Sequence, residues 1–383
     1  MFDALVRFVR EQYRTQEFIP LHAPVFKGQE SGYVQETIES TFVSSVGAFV
    51  DRFENDAAAY TGAARAIATV NGTAALHVAL LLAGVRQGDL VISQALTFVA
   101  TCNAIAYCGA QPIFVDVDRR TLGMSPTALQ AWLDQHARLD IDGSCRTKVG
   151  DQRIAACLPM HTFGHPADLD GLLAVCERWN LPLVEDAAES LGSFYRGRHT
   201  GSFGLLGTLS FNGNKIITTG GGGMILTNDE LGGRAKHLTT TAKRPHPFEY
   251  VHDEIGFNYR LPNLNAALGC AQLEQLELFI ASKRELAERY ASHLAGSEFT
   301  FMLEPDHCRS NYWLNAVICP DRTERDGLLE TCNAAGVMTR PIWQLMCDLP
   351  AYSDCLHDGL EQSRWLVERV VNLPSSVLPE HLQ

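Results

Sequence analysis

Apolar positions along this chain recur at two spacings. A helical spacing runs through residues 2–14, 33–42, 48–60, 74–83, 101–108 and 168–179. Between these stretches lie seven short apolar runs of strand length, at 67–70, 90–93, 112–117, 154–159, 181–185, 208–211 and 223–227. Short apolar runs alternating with helices predict a mostly parallel sheet covered on both faces, an α/β architecture. Pro20, Pro24, Gly28 and Gly32 mark 19–32 as a surface loop. Gly143, Ser144 and Gly150 do the same for 139–151, and Arg244-Pro245-His246-Pro247 marks a third loop. Beyond Pro262 the pattern changes. Residues 265–290 read as one long helix leaving the sheet, and 299–383 as a smaller α+β unit. The expected division is an N-terminal segment with a large domain over 1–265, then a linking helix and small domain over 266–383.

Composition narrows the partners. Of 383 residues, 46% are hydrophobic and 20% charged, enough apolar material for more than one core. The formal net charge of −13 leaves no basic footprint for nucleic acid or an anionic membrane. Eleven cysteines, an odd number with no C-x-x-C pair, predict neither a zinc site nor a disulfide framework, and no metal is expected. A reducing cytoplasm is the expected compartment. The first thirteen residues alternate apolar and charged positions like an amphipathic helix, not a signal peptide, and no apolar run is long enough to span a membrane.

The candidate chemistry lies in five places. The segment Ser210-Phe211-Asn212-Gly213-Asn214-Lys215 sets one of only six lysines after a strand and before four glycines, 220–223. An amine held there suits a carbonyl cofactor; an exposed lysine in a turn is the other reading. The glycines fit neither G-x-G-x-x-G nor the P-loop pattern. Twenty-nine residues before Lys215, the run Val184-Glu185-Asp186 ends a strand in carboxylates, with Glu189 following. Pyridoxal phosphate needs this pairing: a lysine for its aldehyde and an acid for its ring nitrogen. A solvated cap is the other reading of Asp186. Asn71-Gly72-Thr73-Ala74 joins a strand to a helix N-terminus, which is either an anion site or a simple N-cap. Phe98, in Leu96-Thr97-Phe98-Val99, is a ring for stacking or for the core. Gly256-Phe257-Asn258-Tyr259-Arg260 sets polar groups among aromatics and suggests an interface or site segment.

Seven stretches taken together resemble one family, the DegT/StrS sugar aminotransferases of pyridoxal-phosphate fold type I. They are the NGTAAL segment at 71–76, GDLVISQALTFVAT at 88–101, GAQPIFVDVD at 109–118, PMHTFGHPADL at 159–169, LPLVEDAAESLGS at 181–193, the lysine segment at 210–223, and GFNYRLPNLNAALG at 256–269. Arg340-Pro341-Ile342-Trp343 and Asn372-Leu373-Pro374-Ser375-Ser376 extend the likeness toward the C-terminus, and 38–53 is most similar to the branch making legionaminic-acid-type 4-amino sugars.

The resemblance implies an aspartate-aminotransferase-like fold: a large domain with a mostly parallel seven-stranded sheet, plus a smaller C-terminal α+β domain. It makes Lys215 the Schiff-base lysine and Asp186 the partner of the pyridine nitrogen. Gly72, Thr73, Ala74 and Ser210 would donate to the phosphate, and Phe98 would stack on the ring. Glu189 would face the phenolic oxygen, a repulsive pairing unless a proton is shared. Asn258 would reach the phosphate of the neighbouring subunit, so sites would be shared in a homodimer. Arg340 and Trp343 would line the substrate channel, or serve as a surface arginine and a core tryptophan. The implied activity is transamination of a nucleotide-linked 4-keto-6-deoxy sugar, the nucleotide being uridine or guanosine diphosphate. Glutamate would be the amino donor, and the product would serve bacterial surface glycans. Two alternatives are a dehydratase on a similar sugar, which the lysine disfavours, and a non-enzymatic cofactor-binding regulator. The regulator would need a basic DNA-binding segment that the sequence does not show.

Overall fold

A computed structural model describes residues 2–382. Each of the seven apolar runs overlaps a strand. Hydrogen bonding sorts them into two sheets, where one seven-stranded sheet was expected. One sheet runs in the order Arg65–Thr69, Gly223–Thr227, Leu206–Ser210, Val184–Asp186; the other runs Gln111–Val115, Leu90–Gln94, Ile154–Leu158. The pairing is mixed. Gly223–Thr227 is antiparallel to both its neighbours, whereas Leu206–Ser210 with Val184–Asp186, and all pairs in the second sheet, are parallel. The two sheets meet at Ile154–Leu158 and Val184–Asp186 through isolated parallel bridges only, Cys157 with Leu183 and Met160 with Asp186. Pro159 and Pro182 stand at this seam. They accept from the N–H groups of Asp186 and Cys157, at 2.9 and 3.0 Å, but have no N–H to return. The ladder is therefore interrupted there, and the strand expected from 181 begins at Val184.

Other expectations shift for local reasons. The helix expected at 33–42 is Glu30–Glu39, because the buried Glu30 starts it early: its carboxylate accepts from the Gly28 N–H. The expected single helix over 265–290 is two, Asn263–Leu273 and Leu276–Leu294. They part where Gln272 and Gln275 both turn their amides onto Glu30 Oε1, at 2.7 Å each. The loop expected over 139–151 is mostly a hairpin, with Ala137–Leu139 paired to Cys145–Thr147. The loop at 244–247 bends between the paired segments Lys243–Arg244 and Val251–His252.

The C-terminal part builds its own antiparallel sheet, Thr300–Phe301, Asn315–Ile318, Val370–Leu373 and Arg340–Pro341. The N-terminal helix Phe2–Tyr13 packs into that half of the molecule. Its Leu5, Val6 and Val9 share a core with Leu286, Tyr290 and Val371, although the sequence groups it with the large domain. Among the described residues no helix is long and apolar enough to cross a membrane.

Candidate active site

Strand alternation decides which carboxylate faces the site. Glu185 and Asp186 are neighbours on one strand and so point to opposite faces. Glu185 is fully buried and accepts from the N–H groups of Gly201, Phe203 and Gly204 at 2.6–2.8 Å. His161 Nδ1 accepts from the Ala167 N–H, so its proton sits on Nε2 and is donated to Glu185 at 3.0 Å. Burial pushes the Glu185 carboxyl up, but these donors outweigh it and hold it below the usual range. It is a structural anchor. Asp186 instead opens into a cleft of about 590 Å³. Thr101 Oγ1 donates to its Oδ2 at 2.7 Å, and the Ala188 N–H to its Oδ1 at 3.2 Å. Burial raises the Asp186 carboxyl against the pull of those two bonds.

Lys215 lies in the turn after Leu206–Ser210, its N–H donating to Asn212 O at 3.0 Å. Its side chain is only 12% exposed, and Nζ stands 3.3 Å from Glu189 Oε1. The other oxygen of Glu189 accepts from the Phe163 N–H at 2.9 Å. Burial lifts the Glu189 carboxyl to about 7, with the charge of Lys215 pulling the other way. The expected conflict between a carboxylate and a phenolic oxygen therefore eases: near neutral pH a large share of Glu189 is protonated and can donate.

A helix start and a hydroxyl converge beside them. The helix Gly72–Leu82 begins against Ser210, and its N-cap is Asn71, whose Oδ1 accepts from the Ala74 N–H at 2.8 Å. The N-cap reading of this turn holds for Asn71. The Ala74 N–H, expected to serve a phosphate, is engaged by the cap. Gly72 and Thr73, the first helical residues, have N–H groups without intrahelical acceptors. A Cβ on Gly72 would lie 3.0 Å from Ser210 Cβ, so the hydroxyl and the helix start close on one point. Phe98, 48% exposed, forms one wall with Trp343, whose ring lies 6.4 Å from it and 5.1 Å from Phe163. Arg340 lines the same cleft and is itself exposed.

The structure therefore brings Gly72, Thr73, Phe98, Asp186, Glu189, Ser210, Lys215, Arg340 and Trp343 around one cleft. Asn258 is elsewhere. It is exposed, and its Oδ1 accepts from Arg260 Nε at 3.1 Å. Sequence reasoning missed Trp313 and Thr101. Thr101 closes the quoted segment 88–101, three residues after Phe98; Trp313 carries no spacing signal. Among the described residues, His237, Asp253 and Glu254 form a cluster of metal-capable side chains, but Arg244 and Arg234 already pair with its carboxylates.

These residues fit pyridoxal phosphate by their chemistry: an amine, a buried acid, an aromatic wall, and a helix start closing on a hydroxyl. The comparisons agree. The sequence profile of the DegT/DnrJ/EryC1/StrS aminotransferase family matches residues 24–380. The chain is 38% identical over 362 residues to the GDP-perosamine synthase of Escherichia coli O157:H7, covering 94% of this chain and 93% of that protein. It is also 38% identical over 362 residues to the GDP-perosamine synthase of Caulobacter vibrioides, covering 93% of each. The crystal structure of the aminotransferase TlmJ from Streptoalloteichus hindustanus matches with a TM-score of 0.84 at 28% identity, over 94% of this chain and 93% of that one.

Proposed function

The chain belongs to the DegT/DnrJ/EryC1/StrS aminotransferase family, and from that premise we propose that it aminates a GDP-linked 4-keto-6-deoxy sugar with glutamate as amino donor. Its α/β aminotransferase fold and its class, a pyridoxal-phosphate-dependent transaminase, follow from the family and from the relatives it matches. The observation that carries the substrate is the pair of GDP-perosamine synthases at 38% identity over nearly the whole chain. The cleft supports it. Its charged lining among the described residues is Asp186, Glu189, Lys215 and Arg340, so among them Arg340 is the cation left over for a diphosphate once Lys215 serves the cofactor.

Bound pyridoxal phosphate supplies an aldehyde for the amine and a ring that withdraws electrons from the carbon being deprotonated. The chain supplies the rest. Asp186, held by Thr101 and Ala188, keeps a proton on the ring nitrogen. The Gly72 and Thr73 N–H groups and the Ser210 hydroxyl bind the phosphate, and Phe98 covers the ring. Glu189 shares a proton with the phenolic oxygen. Lys215 would move the proton at the reacting carbon as base and then acid. Trp343 walls the sugar, and Asn258 completes the phosphate cup of a second copy, so the working unit is a homodimer. The large and small domains divide near residue 265, with the cleft between them.

The test is a screen. Purified protein, glutamate and keto sugars linked to GDP or UDP are incubated, and amino sugar and 2-oxoglutarate are measured by mass spectrometry. Amination of the GDP sugar is expected, abolished in Lys215→Ala. Turnover of UDP sugars alone would return the substrate to the legionaminic-type branch suggested by residues 38–53. Loss of a sugar hydroxyl without amination would make the protein a dehydratase.

A further inference from the structure

The amine of Lys215 has two neighbours, not one. Glu189 Oε1 lies 3.3 Å from Nζ, and the Trp313 ring centroid 3.9 Å from it. A cation against an indole face is attracted by the ring quadrupole, the more so where water is excluded. Trp313 is 4% exposed and fixed at several points. Its indole Nε1–H donates to Asn214 O at 2.7 Å, one residue before the lysine. Its backbone N–H donates to Asn311 Oδ1 at 2.8 Å. The Asn311 amide nitrogen in turn donates to the carbonyls of Glu189 and Leu191, at 2.9 Å each. One buried amide thus ties the carboxylate wall to the indole wall. From the far side, the fully buried Lys283 donates to the Trp313 carbonyl at 3.2 Å and also to the Ser375 carbonyl.

We propose that Trp313 is a positioning residue for Lys215: its indole face, registered against Glu189 by Asn311, holds the free ammonium whenever the lysine is not joined to the cofactor. The proposal rests on Lys215 being the cofactor lysine, as read above. A transaminase must release that amine in one half of every cycle and take it back in the other. A four-carbon side chain with no partner would lose its alignment by rotamer freedom. Trp313 and Glu189 keep the amine where it is needed for proton transfer.

The test uses full-length protein loaded with pyridoxamine phosphate, in which Lys215 is free. Trace acetic anhydride is added between pH 7 and pH 10, and the acetylation rate of the Lys215 peptide is read by mass spectrometry. Only the neutral amine reacts, so a group that stabilises the ammonium slows labelling while the lysine is protonated. Trp313→Leu is expected to label about three- to tenfold faster than wild type at pH 7. Trp313→Phe, with a weaker π face, should fall between. Both ratios should be the same with isobutyric anhydride, a bulkier reagent, because a change in the ammonium's stability acts on the amine and not on access to it. A ratio of one at pH 7 overturns the proposal. So does a ratio that differs between the two reagents, which would make Trp313 a steric cover only. If Trp313→Leu does not fold, Trp313→Phe keeps a ring in place and decides the matter by the same two criteria. The readout needs no turnover, so it fails separately from the substrate screen.

Discussion

Glu189 shows how one residue can be placed by sequence and yet have its state set by packing. Its position three residues after Asp186 is plain in the chain. Its protonation is not, because that depends on Phe163 and Lys215, which are distant in sequence. Burial raises its carboxyl from an ordinary 4.5 to about 7. An acid raised on folding binds more protons in the folded than in the unfolded state between those two values. Its contribution to stability is therefore present below about 4.5 and lost as pH rises through about 7. Glutamine has no such titration. In the cofactor-free protein, Glu189→Gln should thus gain on wild type as pH climbs from 4.5 to 7.5, by up to about 3 kcal/mol. Paired melting curves across that range check this. If wild type gains on the variant instead, the ion pair with Lys215 outweighs burial and Glu189 is a plain carboxylate. Trp313 and Thr101 were not read as site residues for the same reason. Their roles are contacts to Lys215 and Asp186 across about a hundred and 85 residues, which no local spacing encodes.

At the scale of elements, strands and helices were legible because each buries an apolar run or face, and local chemistry fixes that. What was not legible were features decided by a second element. The break near 274 depends on Glu30, and the split between the sheets falls at Pro159 and Pro182. The glycine run is another case. From sequence, residues 220–223 are four equivalent glycines, but the fold gives them unequal duties. A Cβ on Gly223 would lie 2.4 Å from the Asn71 backbone and 2.6 Å from the Gly72 nitrogen, whereas one on Gly221 would meet nothing within 4 Å. Gly223 begins the strand that runs beside the Asn71–Gly72 helix start, and only hydrogen fits between them. Gly223→Ala should push Asn71 and Gly72 off their positions, destabilising the fold by about 1–3 kcal/mol and weakening cofactor binding about tenfold or more. Gly221→Ala should stay within about 0.5 kcal/mol of wild type. Melting temperatures and cofactor titration of the two variants make the comparison. Equal effects would mean that the cup does not depend on the close approach of this strand.

At the scale of the whole molecule, one sequence expectation has no place in a single chain. Asn258 belongs to a segment that lies beside the start of the phosphate cup, since Val70 N–H donates to Tyr259 O at 2.8 Å and Thr69 bridges to Arg260. Yet its side chain is exposed and turned to Arg260, outside the cleft of its own chain. Nearby in sequence, Phe248, Tyr250 and Ile255 are 91%, 81% and 87% exposed, more bare apolar surface than a short loop needs. A two-fold partner would cover such side chains and bring each Asn258 to the other copy's cup. Lys215→Ala and Asn258→Ala should each be inactive alone. Dissociated, mixed in equal amounts and reassociated, they should recover about a quarter of wild-type activity: half of the dimers are mixed, and each mixed dimer has one site with both defects and one with neither. If each site were built from one chain, every site in a mixed dimer would carry one defect and no activity would return. Recovery near a quarter, with mixed dimers counted by native mass spectrometry, would place Asn258 across the interface; its absence in the presence of mixed dimers would return that residue to its own surface.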